Sequence, residues 1–230
     1  MNKKKLKVGI SVGDPNGIGI EVILKSLQNP ETLKLFNPII FANIKIIEYQ
    51  MRQFNINLEL NLIQTIKEFC ADRINVYNLS LGDFKHSFGE ATIHGGQVAL
   101  KSLVASTKSL KFGEIDALVT APINKKNILS ETFNFIGHTE FLSKYFFSDS
   151  LMFMIGDKLK VGLLTDHIPL DKVSSFVTKK TLRDKILKMI KSMQIDFLIP
   201  RPKIAILGLN PHAGDNGLIG NQDEKVIKPV

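Results

Sequence analysis

Three of the five histidines in this 230-residue sequence sit in short polar loops that could do chemistry. His212 lies in Leu209-Asn210-Pro211-His212-Ala213-Gly214-Asp215-Asn216-Gly217, directly after the apolar run Ile204-Ala205-Ile206-Leu207-Gly208. His167 lies in Thr165-Asp166-His167-Ile168-Pro169-Leu170. His138 follows Gly137 and precedes Thr139 and Glu140, beyond the stretch Thr120-Ala121-Pro122-Ile123-Asn124-Lys125. Imidazole nitrogen is a strong ligand for zinc and other divalent transition metals, and catalytic sites typically use three protein ligands plus an open position. His167 and His212 suit such a site, but ordinary loop hydrogen bonding is the commoner role of two loop histidines. A histidine and a hydroxyl at a helix start, beside free backbone N–H groups, suit an anion. The alternative for Thr139 is that it only caps the helix. His86 and His94 lie in a polar stretch and receive no role.

A further turn, Gly13-Asp14-Pro15-Asn16-Gly17-Ile18-Gly19, follows an apolar segment and opens a helix, as a phosphate-cradling turn would. It lacks the GxGxxG dinucleotide spacing and the Lys-Ser/Thr ending of a P-loop. Asp14 and Asn16 are equally readable as turn residues bonded to their own backbone.

These loops need strands and helices to hold them. Lys7–Val12, Pro38–Ala42, Ile74–Leu79 and Ala117–Val119 read as strands. Ile204–Gly208 reads as a short buried parallel strand, bounded by breakers. Leu151–Ile155 and Val161–Leu164 flank a Gly156-Asp157 turn as a hairpin. Helices are expected through Leu27, over Ile44–Phe54, over Gln97–Leu110 with Gly113 ending it, and around Leu182, Ile186, Met189, Ile190 and Met193, where Thr181 and Asp184 resemble a capping box. Strands alternating with helices imply an α/β fold with a mostly parallel sheet, whose ligands bind beyond the carboxyl ends of the strands. Asn221 and Glu224 look like a helix start close to residue 230, so we expect a chain that lacks a C-terminal part.

Composition sets bounds. Hydrophobic residues make up 44% and charged residues 23%, ordinary for a globular protein. The single cysteine, Cys70, excludes a disulfide framework and points to a reducing, cytoplasmic setting. Apolar runs are too short for a membrane span, and the basic start Met1–Lys5 lacks the apolar core of a signal peptide. The net charge of +8 is spread along the chain rather than gathered in a stripe with interleaved aromatics, so no nucleic-acid partner is expected.

Taken together, Gly13–Gly19, Thr120–Lys125, Gly137-His138-Thr139-Glu140, His167-Ile168-Pro169-Leu170 and Gly208–Gly214 resemble, in order and spacing, the 4-hydroxythreonine-4-phosphate dehydrogenase family of pyridoxal 5'-phosphate biosynthesis. The resemblance runs from residue 7 to the end. It implies a two-domain fold like that of isocitrate and isopropylmalate dehydrogenases, divided here as 1–125 and 126–230, with the C-terminal third missing and a homodimer as the assembly. It implies NAD and a divalent metal (zinc, magnesium or cobalt) as cofactors. His167 and His212 map onto two of three metal-binding histidines in the catalytic centre, and His138 and Thr139 onto the substrate-contacting pair. The third histidine and most NAD contacts would lie beyond residue 230, which leaves the 230 residues alone inactive and their NAD-contacting residues unassigned. Asp166 stands where many relatives place threonine.

The implied reaction oxidises the C3 hydroxyl of 4-phosphooxy-L-threonine, and the β-keto acid product then loses carbon dioxide to give 3-amino-2-oxopropyl phosphate. Two other readings stay open. One is a paralogous dehydrogenase of threonate or erythronate phosphate. The other is a non-catalytic module that binds a phosphorylated ligand or a metal.

Overall fold

The computed structural model describes residues 5–80, 82–129, 134–135 and 137–230; most of the basic N-terminal run lies outside them. The chain divides into two compact units, Met1–Ser148 and Asp149–Val230.

The first unit is a five-stranded parallel sheet with helices on its faces. Its strands are β1 (Leu6–Ser11), β2 (Phe36–Ala42), β3 (Leu60–Ile63), β4 (Ile74–Asn78) and β5 (Ala117–Thr120), in the spatial order β3-β4-β2-β1-β5. Between them run α1 (Gly19–Leu27), α2 (Glu31–Leu35), α3 (Ile44–Gln53) and α4 (Ile93–Lys111), followed by α5 (Lys125–Ile128) and α6 (His138–Tyr145). Successive strand side chains point to opposite faces, and β2 shows the consequence. Ile40 and Ala42 join Val8, Ile10 and Val12 against Ile20, Leu24 and Leu27 of α1 and Ile46 and Ile47 of α3. Ile39 and Phe41 join a second cluster with Ile63, Ile115 and Leu110. Helix α4 is stapled to the central strands by Ser102, whose hydroxyl accepts from Val12 N–H at 3.0 Å and donates to the Phe41 carbonyl at 2.6 Å.

The parallel α/β architecture agrees with the sequence reading, and so do four of the five strands and Gly113, whose φ of +67° closes α4. Strand β3 is an addition to that reading; it lies at the sheet edge and has one buried residue, Ile63. The sequence reading divides the chain at 125, whereas the two compact units of the structure divide after Ser148. Ile128 of α5 and Phe141 and Tyr145 of α6 pack with Ala99 and Leu103 of α4, so both short helices belong to the first unit.

The second unit contains the antiparallel hairpin of β6 (Phe153–Ile155) and β7 (Lys160–Gly162), then α7 (Val173–Phe176) and α8 (Lys179–Ile195). Three local expectations need correction. The capping box of α8 is Thr178 with Thr181, one turn earlier than Thr181 with Asp184. Thr178 is extended at φ −119°, and its hydroxyl accepts from Thr181 N–H at 3.1 Å. Ile204–Gly208 is not a strand: it pairs with no neighbour among the described residues, and Ile206 and Leu207 are 43% and 84% exposed. A strand exists only where an adjacent strand takes its N–H and C=O groups, and apolarity alone does not supply one. At the C-terminal end the helical turn is a π-turn over Asp223–Ile227 with Gln222 as its N-cap, so Asn221 is not the cap, and the Asp223 carboxylate binds the loop at Leu209.

Candidate functional site

In the first unit the polar loops meet at the carboxyl ends of β1 and β5. The turn after β1 is clamped from several sides. Asp14 accepts from Asn16 N–H at 2.9 Å and from the Asn127 side-chain amide of α5 at 2.7 Å. Its own N–H donates to the Pro122 carbonyl in the loop after β5. The Asn16 amide donates to Thr92, the N-cap of α4, and its oxygen accepts from Ser87 N–H. Gly13 has φ +66°, and a Cβ there would sit 2.1 Å from the Pro122 oxygen, so only glycine fits. Gly96 serves the same end on α4, since a Cβ would lie 1.9 Å from the Asn127 carbonyl. Asp14 and Asn16 are therefore turn-binding residues, and the sequence alternative of a structural turn describes them. Asn127, which fastens α5 to this turn, has no counterpart in the sequence reading: its partner is remote along the chain, and no local spacing signals it.

Helix α6 begins at His138, as expected, with Gly137 as an N-cap that offers no side-chain hydrogen bond. Thr139 lies inside the helix and does not cap it. His138 Nε2 is buried and has no hydrogen-bond partner among the described residues. Burial holds its pKa below the ordinary value of 6.5, which favours the neutral imidazole. Glu140, in the same first turn, is engaged by Lys144 at 3.5 Å. The opening N–H groups of a helix have no intrahelical partner, so an uncapped start with a histidine and a threonine can receive an anion.

In the second unit His167 and His212 are both exposed. The His167 loop carries a buried carboxylate oxygen, Oδ1 of Asp166, with no hydrogen-bond partner among the described residues. The His212 loop is a left-handed turn. His212, Ala213, Gly214, Asp215 and Asn216 all have positive φ, between 43° and 86°. For non-glycine residues this conformation is strained and must be held by its surroundings.

The holder is Asp223, which is buried. Its carboxylate accepts from Leu209 N–H at 2.8 Å, Asn210 N–H at 3.1 Å and the Asn210 side-chain amide at 2.9 Å. Burial alone would raise its pKa, but these hydrogen bonds together outweigh it and hold the carboxyl below the usual value. Sequence reasoning takes this segment for a helix start and misses the role. Among the described residues no three His, Cys, Asp or Glu side chains gather so as to hold a metal ion. His167 and His212 thus do not form a complete metal site with any third residue described. No helix of the described residues is long and apolar enough to cross a membrane.

Known proteins resemble this chain in sequence and in fold. The family model described as pyridoxal phosphate biosynthetic protein PdxA matches residues 34–230. The 4-hydroxythreonine-4-phosphate dehydrogenase of Bacteroides thetaiotaomicron is 36% identical over 232 residues, covering 100% of this chain. This chain spans 64% of that relative's length. A Clostridium botulinum protein provisionally named D-threonate 4-phosphate dehydrogenase is 32% identical, with 100% of this chain and 70% of that protein covered. The crystal structure of a 4-hydroxythreonine-4-phosphate dehydrogenase from Burkholderia phymatum superposes with a TM-score of 0.86 at 27% identity, over 99% of this chain and 70% of that one. The breadth of the family match and the identity to curated relatives show that the chain belongs to the PdxA family of pyridoxal phosphate biosynthetic proteins.

Proposed function

We propose that this chain serves the NAD-dependent oxidation of 4-phosphooxy-L-threonine at C3, followed by decarboxylation to 3-amino-2-oxopropyl phosphate, in pyridoxal 5'-phosphate biosynthesis. The observation that carries this reading is the family match over residues 34–230. The uncapped start of α6 adds local support, because the substrate is an anion at both ends. In this reading His138 and Thr139 hold the anionic part of the substrate. A neutral imidazole can donate one N–H, and the helix start supplies further donors, which together fix the position of C3. Bound NAD would supply the hydride acceptor for C3, and the C3 hydroxyl proton would pass to solvent. The β-keto acid would then lose carbon dioxide, its C–C electron pair forming an enolate that takes up a proton to give the ketone. His167 and His212 are the proposed pair of ligands for a divalent cation (zinc, magnesium or cobalt), and a homodimer is the proposed assembly.

A second reading is oxidation of D-threonate 4-phosphate, favoured by the Clostridium relative. The two substrates share the C4 phosphate and the C3 hydroxyl and differ at C2, an amine in one and a hydroxyl in the other. Calorimetric titration with each compound, with and without the three cations, separates them. Tighter binding of 4-phosphooxy-L-threonine, weakened in His138→Ala, is the expected result. Tighter binding of the threonate would replace the first reading by the second, and binding of neither would remove both.

A further inference from the structure

We infer that Lys125 is a substrate-contacting residue that completes an anion cradle with the start of α6. The inference rests on the proposed placement of the substrate's anionic part at His138 and Thr139, takes that part to be the phosphate, and adds a residue to it. Lys125 opens α5, just past the carboxyl end of β5, where α/β folds place their ligands. Its side chain runs toward α6: the Cε atom lies 3.9 Å from the Cβ position of Gly137, the N-cap of that helix. Lys125 is exposed and forms no ion pair or hydrogen bond through its ammonium with any described residue. The acid nearest in sequence to that helix start, Glu140, is engaged by Lys144.

The base of Lys125 is also fixed in place. Asn124 caps α5 by accepting from Lys126 N–H at 2.9 Å. Asn127 binds Asp14 on one side, and the backbone of α5 abuts Gly96 of α4 on the other. A four-residue helix secured at both ends thus carries two exposed lysines that form no ion pair with a described residue, and Lys125 is the one whose side chain lies against Gly137, at a helix start that no side chain caps. A phosphate monoester suits both: it takes N–H donors from the helix and a charge-assisted hydrogen bond from the ammonium. Lysine acts there as a flexible point charge, reaching the phosphate without setting its orientation.

The test is calorimetric titration of the full chain with inorganic phosphate at two salt concentrations, for the native protein and for Lys125→Ala, Lys125→Arg and Lys126→Ala. Lys126 is the neighbouring exposed lysine and serves as the charge-matched control. Lys125→Ala should weaken phosphate binding about tenfold or more, as expected for loss of one charge-assisted hydrogen bond. Lys125→Arg should keep most of the affinity, and Lys126→Ala should stay within about twofold. Equal losses in the two alanine variants, or phosphate binding unaffected by Lys125→Ala, would overturn the inference, as would no binding to the native chain. Thermal melting of each variant excludes misfolding, because an exposed lysine carries no core packing. If phosphate binding depends on Lys125 but neither phosphorylated hydroxy acid binds, the dehydrogenase reading fails and the cradle stands.

Discussion

Two glycine-bearing loops in this chain look alike in sequence and differ in what holds them. The turn Gly13–Gly19 leaves a fully paired strand and is tied to α4, α5 and the loop at residues 87–89 by Asp14 and Asn16. The turn Pro211–Gly217 follows an apolar segment that pairs with no strand among the described residues, and its entry is held by the carboxylate of Asp223. Their foundations differ in the same way. Beneath the first lie clusters that bury Val12, Ile20, Leu24, Ile40 and Phe41, whereas the buried apolar side chains among the described residues of the second unit are Val177, Leu182 and Met193. The contrast teaches that a polar loop becomes a fixed platform when the elements around it share a core, and that one buried acid can hold a strained loop where they do not.

The largest effect should come from the shared acid of the first loop. Asp14→Ala leaves the Asn127 amide and the Asn16 N–H without their acceptor in a buried place, at a cost of about 2–3 kcal/mol. Chemical denaturation measures this, and an unchanged midpoint would show that the turn does not depend on its clamp.

A pH series read by hydrogen exchange should separate the two regions. The native pKa of His138 lies below its ordinary 6.5, so the unfolded chain takes up a proton that the native state refuses. Protection around α6 should therefore fall as pH drops below about 6.5 and level off once the lower native pKa is passed. Asp223 has the opposite kind of linkage. Its carboxylate is favoured in the native state, so its contribution is present above the ordinary 3.8 and is lost as pH falls through the lower native value. The His212 loop should thus stay closed in mildly acidic buffer in which α6 has already loosened. Simultaneous opening of both regions would refute this assignment of causes.

The smallest effect is expected at Leu207, which is 84% exposed. Leu207→Ser should change stability by no more than about 0.5 kcal/mol. A clear loss would mean that the segment 204–208 is covered in solution, and the contrast between the two loops would weaken accordingly.

Much of the first unit is legible in the residues alone. The apolar runs of β1, β2, β4 and β5 and the spacing in α4 define elements by local pattern, and burial on both faces keeps that pattern strong in the inner strands β1, β2 and β4, whereas the edge strand β5 leaves Val119 exposed. Where the partner is remote, the pattern misleads. Ile204–Gly208 has the composition of a strand, but a strand needs a neighbour that composition does not name. Thr181 looks like a cap because hydroxyl residues suit caps, yet Thr178 has the extended backbone that the position requires.

The sequence by itself determined the alternation of strands and helices, the family to which the chain belongs, and the residue types available for anion binding and metal ligation, because each is written in local pattern or in motif order. Only the tertiary structure decided that Asp14 and Asn16 are clamps rather than ligands, that Asp223 holds the His212 loop, and that α5 and α6 belong to the first unit with Lys125 beside Gly137. The reason is physical. Hydrogen bonds and packing contacts between residues tens of positions apart depend on where the folded backbone brings them, and no spacing along the chain records that distance.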